Sequence, residues 1–204
     1  MTRLYYIHDP MCSWCYAFSE AWSLLQNNLS GEVKVVYLLG GLAPDTTAPM
    51  LLTVQQSIQQ AWQRIEQTIP GIRFNREFWS RNRPIRSTYR ACRAVIAAKR
   101  QSADADLKMI RAIQDAYYQK AKNPALLEIL VECAEVIGLD ANTFKADLVS
   151  TDVENELQRQ IQLSRSMGVD SYPSLRLMRS EAIYPIAIDY RNFRTMLDEI
   201  NIHL

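Results

Sequence analysis

Patterning for β structure is confined to the two ends of this chain. Everything between residues 50 and 149 is patterned as helix. A sheet built from such a chain must pair strands separated by the whole helical block. Arg3-Leu4-Tyr5-Tyr6-Ile7 reads as a buried strand, broken by His8-Asp9-Pro10. A helix is expected from Ser13 to Leu29, where Trp14, Phe18, Trp22, Leu25 and Leu29 recur at helical spacing, with Ser30-Gly31 as its stop. Val33 to Leu39 is a second strand, rich in β-branched residues. Strand, helix, strand makes a βαβ unit, whose crossover is right-handed almost without exception.

The block that follows contains apolar stripes for five helices. Leu51, Val54, Ile58, Ile65 and Ile69 mark the first, closed by Pro70-Gly71. Residues 72 to 83 read as irregular and aromatic. Pro84 suits the first turn of a second helix through Tyr89, Cys92 and Ile96. Leu107 to Tyr117, a stretch opened by Asn123-Pro124, and Ala141 to Val149 supply the others. Thr151-Asp152-Val153-Glu154 has capping-box spacing for a long helix ending near Met167-Gly168. The chain then returns to β: Ser174 to Met178 and Ala182 to Ile186 are close enough for a hairpin. Asp189 can cap a last helix through Phe193, Met196, Leu197 and Ile200. The expectation is an α/β fold, βαβ…ββα, with a large all-helical insertion between its halves. Residues 1–49 and 150–204 would form the sheet domain, and 50–149 the inserted helical domain.

At the junction of the first strand and first helix stands Met11-Cys12-Ser13-Trp14-Cys15. Two thiols three residues apart at a helix start can close a disulfide with little backbone movement, and can exchange it with another molecule. At a helix N-terminus, unpaired N–H groups and the positive end of the dipole favour the nucleophilic sulfur, so Cys12 is the expected nucleophile. Cys15, one turn in, is the expected resolving thiol. Zinc would need two more ligands, and His8, Cys92, Cys133 and His203 are not in ligand spacing. Charge is nearly balanced, 23 basic against 22 acidic residues, which gives no reason to expect nucleic acid or membrane as partner. No apolar run approaches the roughly 18 residues of a membrane span. Met1-Thr2-Arg3 leads into the first strand with no leader-like apolar segment. If Met1 is the natural start, the expected location is the cytoplasm. Cys92 and Cys133, each on an apolar stripe, fit a reducing compartment.

A Cys-x-x-Cys after the first strand and a distant ββα unit make the thioredoxin arrangement, and helices between the halves narrow it to the DsbA-like branch. His8-Asp9-Pro10-Met11-Cys12-Ser13-Trp14-Cys15 resembles the bacterial DsbA family, including its FrnE-like group, whose motif reads Asp-Pro-x-Cys-x-Trp-Cys. Gly168-Val169-Asp170-Ser171-Tyr172-Pro173 resembles the family's Gly-Val-x-x-x-Pro entry to the third strand. The resemblance implies a cis Tyr172-Pro173 bond beside the dithiol that helps hold an extended substrate segment. It implies a thiol–disulfide oxidoreductase or isomerase acting on protein or small-molecule thiols and disulfides. No metal or organic cofactor is implied beyond the dithiol, with glutathione or thioredoxin as a regenerating reductant. The best-known periplasmic member has Pro-His between its cysteines. Here Ser13-Trp14 stand there and Asp9 adds negative charge nearby, so a less oxidising couple is expected.

Several residues have two readings. His8 is a proton shuttle or tuning group, or a strand-end residue satisfied by the backbone. Asp9 caps the turn at Pro10 or takes part in proton transfer. Trp14 is a substrate contact or part of its helix stripe. Cys92 and Cys133 are small core hydrophobes or a regulatory pair. Phe74, Phe78 and Trp79 are core or line an apolar groove. Seven arginines between Arg73 and Arg93, opposed locally only by Glu77, form a solvated face or a docking surface for acidic partners. Two rival functions share the fold: a glutathione transferase or isomerase of the kappa or chromene-carboxylate type, which needs no second thiol, and a non-enzymatic protease adaptor.

Overall fold

β1 (Thr2–His8) is the strand on which the sheet is assembled. The structure, a computed structural model, describes residues 2–204. After β1 come α1 (Ser13–Ala17), α2 (Ser19–Asn28) and β2 (Val33–Leu39). Six helices follow: α3 (Leu52–Thr68), α4 (Phe78–Arg81), α5 (Tyr89–Gln101), α6 (Ala105–Tyr118), α7 (Leu127–Val136) and α8 (Ala141–Leu148). The chain closes with α9 (Thr151–Ser166), β3 (Ser174–Arg179), β4 (Ala182–Ile186) and α10 (Phe193–Ile202). The sheet order is β2-β1-β3-β4, with β1 and β2 parallel and the other pairs antiparallel. This is an α/β, thioredoxin-like fold.

Alternation along β1 divides the core. Leu4 and Tyr6 face Phe18, Trp22 and Leu25, with Met196 and Ile200 of α10 on the same side. Tyr5 and Ile7 point the other way, to Leu38, Met167 and Val169. The register Leu4↔Leu177 and Tyr6↔Leu175 keeps Leu175 and Leu177 on the α10 side, with Met178 on the other; a one-residue slip would carry both leucines to the opposite face. A third cluster joins helices α3 to α8 to the site and to α9. Met11 and Leu39 share it with Trp62, Ile65, Ala91, Cys92, Met109, Tyr118, Leu157 and Ile161. The helical block is therefore packed directly beneath the dithiol.

Local boundaries differ from expectation where side chains compete with the helix ladder. The helix expected over 13–29 is two helices meeting at Phe18. Ser19 Oγ donates to the Tyr16 carbonyl at 2.5 Å, a side-chain bond of the kind that bends helices. α5 starts at Tyr89, not near Pro84, because the Pro84 carbonyl accepts from Met50 N–H at 2.8 Å and Ile85 bridges to Pro49. α7 starts at Leu127, since Asn123 Oδ1 takes the Ala125 N–H in a turn first. The cap of α9 is Ser150, whose hydroxyl accepts from Val153 N–H at 3.3 Å. Asn192, rather than Asp189, caps α10, while Asp189 accepts from the N–H groups of Arg191 and Asn192 just before it. The aromatic stretch expected to be irregular contains α4, and Phe74 and Phe78 are core.

Candidate active site

The site is tied together by a carboxylate. Asp9, at the end of β1, is 0% exposed. Its Oδ1 accepts from Met11 N–H at 2.8 Å. Its Oδ2 accepts from Leu42 N–H at 2.8 Å, Thr88 Oγ1 at 2.6 Å and Cys92 Sγ at 3.5 Å. Its own carbonyl accepts from Cys12 N–H at 3.1 Å. The turn-capping reading of Asp9 describes one bond of four. The others draw the loop after β2 and the start of α5 in beneath the dithiol. Burial holds the Asp9 carboxyl above its ordinary range, and the donors oppose that shift.

Cys12 is the N-cap of α1 in extended conformation, and Cys15 lies on the first turn. All four cysteines are unbridged. Cys12 is 7% exposed and Cys15 2%. Burial, and next the Cys12 thiol beside it, push the Cys15 thiol well above its ordinary range, so it stays protonated in the reduced protein. Cys12 Sγ donates to the Tyr172 carbonyl at 3.5 Å, across 160 residues of sequence. The Tyr172–Pro173 bond is cis. Tyr172 is itself fixed from behind: its hydroxyl donates to the Gly40 carbonyl at 2.7 Å, and its ring fills the space a Cβ at Gly40 would take.

Tyr118 Oη donates to the Met11 carbonyl at 2.7 Å, and Tyr16 stacks on Tyr118 at 4.7 Å between ring centroids. Trp14 is half-buried against Tyr190, with centroids 5.1 Å apart. Ser13, the first residue of α1, is also half-buried. His8 is 3% exposed, stacked on Tyr6 at 5.0 Å and edge-on to Tyr37 at 5.9 Å. Burial lowers it to about 4 against a weaker, opposite pull from Asp106, so it is neutral at neutral pH.

The remaining sequence candidates fall elsewhere. Cys133 is buried in the helical core, whereas Cys92 reaches the site through Asp9. Two of the seven arginines pair with acids that the linear stretch does not contain, and Arg81 pairs with Glu77 within it. Arg93 pairs with Asp45 and Glu154, each at 2.8 Å, Arg76 with Glu66, and Arg90 donates to the Ala125 carbonyl. Arg73, Arg83 and Arg86 are exposed. Sequence reasoning missed Gly40, Thr88, Tyr118 and Tyr190 as site residues, and no spacing rule points to them. Among the described residues no cluster of three or more His, Cys, Asp or Glu is arranged to hold a metal, and no helix is long and apolar enough to cross a membrane.

A thioredoxin fold with two unbridged thiols at the first helix, a cis proline opposite and a block of helices between its βαβ and ββα halves defines the DsbA-like class. The chain belongs to the thioredoxin family: the family model Thioredoxin_5, described as thioredoxin, matches residues 5–189. Among solved structures it is similar to one from Nitrosomonas europaea, provisionally assigned as a protein disulfide isomerase. That structure is 25% identical, with TM-score 0.86, over 98% of this chain and 96% of the other. Cytosolic disulfide reductase DsbM from Pseudomonas aeruginosa shares the fold at 20% identity, TM-score 0.78, over 99% and 100% of the two chains. DsbM has also been solved with GSH. Among curated proteins, ClpXP adapter protein SpxH of Bacillus subtilis (strain 168) is 25% identical over 180 residues, 88% of this chain and 59% of its own length. SpxH of Halalkalibacterium halodurans is 26% identical over 176 residues, 84% of this chain and 57% of its own. The chain thus spans less than two thirds of the length of these curated relatives.

Proposed function

We propose that this protein is a cytoplasmic thiol–disulfide oxidoreductase that works through Cys12 and Cys15. The observation that carries the reading is the unequal pair at the start of α1. Cys12, at the cap, faces the Tyr172 carbonyl beside Pro173, and Cys15 lies deeper as a thiol. In the proposed cycle the Cys12 sulfur attacks a substrate disulfide. One substrate sulfur leaves with the electron pair and takes a proton, and a mixed disulfide remains on Cys12. Cys15 then attacks Cys12 Sγ, gives up its proton, and releases the second substrate thiol. The substrate is reduced by two electrons and the Cys12–Cys15 pair is oxidised. Glutathione or a thioredoxin-type dithiol then reduces the pair, a role in keeping with the GSH complex of DsbM. Trp14, Tyr172 and Pro173 line the substrate side, and His8, Asp9 and Ser13 tune the pair from behind. Residues 50–149 act as an inserted helical unit that supplies Thr88, Cys92 and Tyr118 to the site.

The test is trapping. Cys15→Ser should hold substrates on Cys12 as mixed disulfides that a reductant releases. Recovery of none, with Cys12 present and reduced, would sink the reading. The likeness to SpxH favours a second reading, in which the chain presents a client protein to a protease. If Cys12→Ala and Cys15→Ala leave the cellular phenotype of the wild type intact while deletion of the gene does not, the adaptor reading replaces the first.

A further inference from the structure

Behind Cys15, away from Tyr172 and Pro173, a cavity of about 120 Å³ runs between α2 and α6. Cys15, Tyr6 and His8 line its inner end, Trp22 and Tyr37 its walls, and Arg111 and Ser23 its mouth. A second recess of about 90 Å³ adjoins it, sharing His8, Tyr37, Leu107 and Ile110. Two side chains in this slot stand out. His8 is 3% exposed and Gln114, which also lines the larger cavity, is 8% exposed; neither side chain exchanges a hydrogen bond with another described residue. Buried polar groups are satisfied by protein or by ordered water, and a cavity holds water when it is polar and roomy enough. The larger cavity is roomy enough to hold water.

We propose that this slot is the proton exit of Cys15, with His8 as its relay. The inference rests on the oxidoreductase reading above. Cys15 must lose a proton to resolve a mixed disulfide, and it is only 2% exposed. In the step proposed, the Cys15 S–H bond breaks and its proton passes, directly or through slot water, to the unprotonated imidazole nitrogen of His8. The sulfur lone pair forms the bond to Cys12 Sγ. The Cys12–substrate bond breaks with its electron pair on the substrate sulfur, which takes a proton from solvent. The other imidazole nitrogen releases its proton to slot water, which leaves the neutral ring as its other tautomer, and proton exchange with slot water restores the starting tautomer before the next turnover. A neutral imidazole has one acceptor and one donor nitrogen, as this relay needs. The ring is neutral at neutral pH, so it carries the proton only in passage. The ionisable groups that face it are Tyr6 of β1, Cys15 of α1, Tyr37 of β2, Lys99 of α5, Asp106 and Arg111 of α6, and Glu156 of α9. Of these, Asp106 is held by Lys99 at 2.6 Å and Glu156 by Arg159, each paired rather than free to take the proton.

The test follows the reduced protein with an aryl disulfide that yields a coloured thiolate at each step. The first phase reports attack by Cys12 and the second reports resolution by Cys15. His8→Ala should slow the second phase relative to the first by about 10²-fold, at the low end of what a positioned proton acceptor contributes. Its second phase should rise with hydroxide concentration across neutral pH, where the wild type is flatter. Added imidazole should restore the rate. Gln114→Leu, which keeps His8 and dries the slot, should slow the second phase alone. Normal second phases in both variants, with the wild-type pH profile and no effect of imidazole, overturn the relay. Absence of the first phase in the wild type overturns the oxidoreductase reading, and the relay with it.

Discussion

Gly40→Ala should damage the site through one contact. A Cβ built on Gly40 would lie 2.0 Å from Tyr172 Cε1 and 2.3 Å from its Cζ, where side-chain Cβ atoms essentially never come under 3.0 Å. The backbone of Gly40 is outside the left-handed region, so alanine is not strained for its own sake. The Tyr172 ring must therefore move by about 1 Å or more, an overpacking that costs about 1–3 kcal/mol. Its hydrogen bond to the Gly40 carbonyl is worth about a further 1 kcal/mol. The smaller unfolded-state entropy of alanine returns about 0.4–1 kcal/mol. The net expectation is a loss of about 1–4 kcal/mol, read as a lower urea midpoint at unchanged slope. The activity consequence is larger in kind, because the carbonyl of that same tyrosine faces Cys12 Sγ. A displacement near 1 Å at a positioning group can cost on the order of 10²-fold in rate. Tyr172→Ala removes the ring that clashes. In that background Gly40→Ala should be close to neutral, giving a coupling energy nearly equal to the single-mutant loss. Additive single effects, or an unchanged midpoint for Gly40→Ala alone, refute the contact as the cause.

Thr88→Val keeps the side-chain shape but removes a donor to Asp9 and the acceptor of the Ala43 N–H. It should cost about 2–4 kcal/mol by urea denaturation, since one bond goes to a buried carboxylate and one buried donor is left unpaired. The His8 ring binds a proton less readily folded, at about 4, than unfolded, at 6.5. The unfolded chain therefore takes up more protons in that window, and stability falls as pH drops from 6.5 toward 4, by up to about 3 kcal/mol. Asp9, raised above its ordinary value, contributes a slope of opposite sign. His8→Phe should flatten the urea midpoint against pH between 7 and 4.5; an identical slope in the variant contradicts the assignment. Cys92 is fully buried and its thiol is pushed up by burial and by Asp9. In native protein it should alkylate only as fast as the surrounding structure opens, which mass spectrometry of a labelling time course reads directly.

The parts of this molecule legible in its sequence are those governed by short-range rules. A three-residue spacing at a strand–helix junction places Cys12 and Cys15 on one turn, and the structure has them there. Periodicity marked β1, β2, β3 and β4, and a family resemblance singled out Pro173 as the residue opposite the dithiol. Helix ends were less legible because hydroxyl groups one or two residues apart compete for the same backbone groups, as Ser150 does with Thr151. The environment of the dithiol was not legible at all. Thr88 and Cys92 reach Asp9 across 79 and 83 residues, and Tyr118 reaches the Met11 carbonyl across 107. The slot beside His8 is a space between packed elements, which no residue announces. Of the groups missed, Thr88 and Tyr118 come from the start of α5 and the end of α6, and Gly40 and Tyr190 from loops of the sheet-forming ends, while those found come mainly from the sheet-forming ends. The same Cys-Ser-Trp-Cys segment grafted under a different helical block would therefore lose the Thr88 and Cys92 bonds to Asp9. It would also lose the α5 and α6 walls of the His8 slot, and with them the electrostatics behind Cys15. The surroundings of this dithiol are in that sense a property of the interface between the helical block and the sheet, and only its position belongs to the motif.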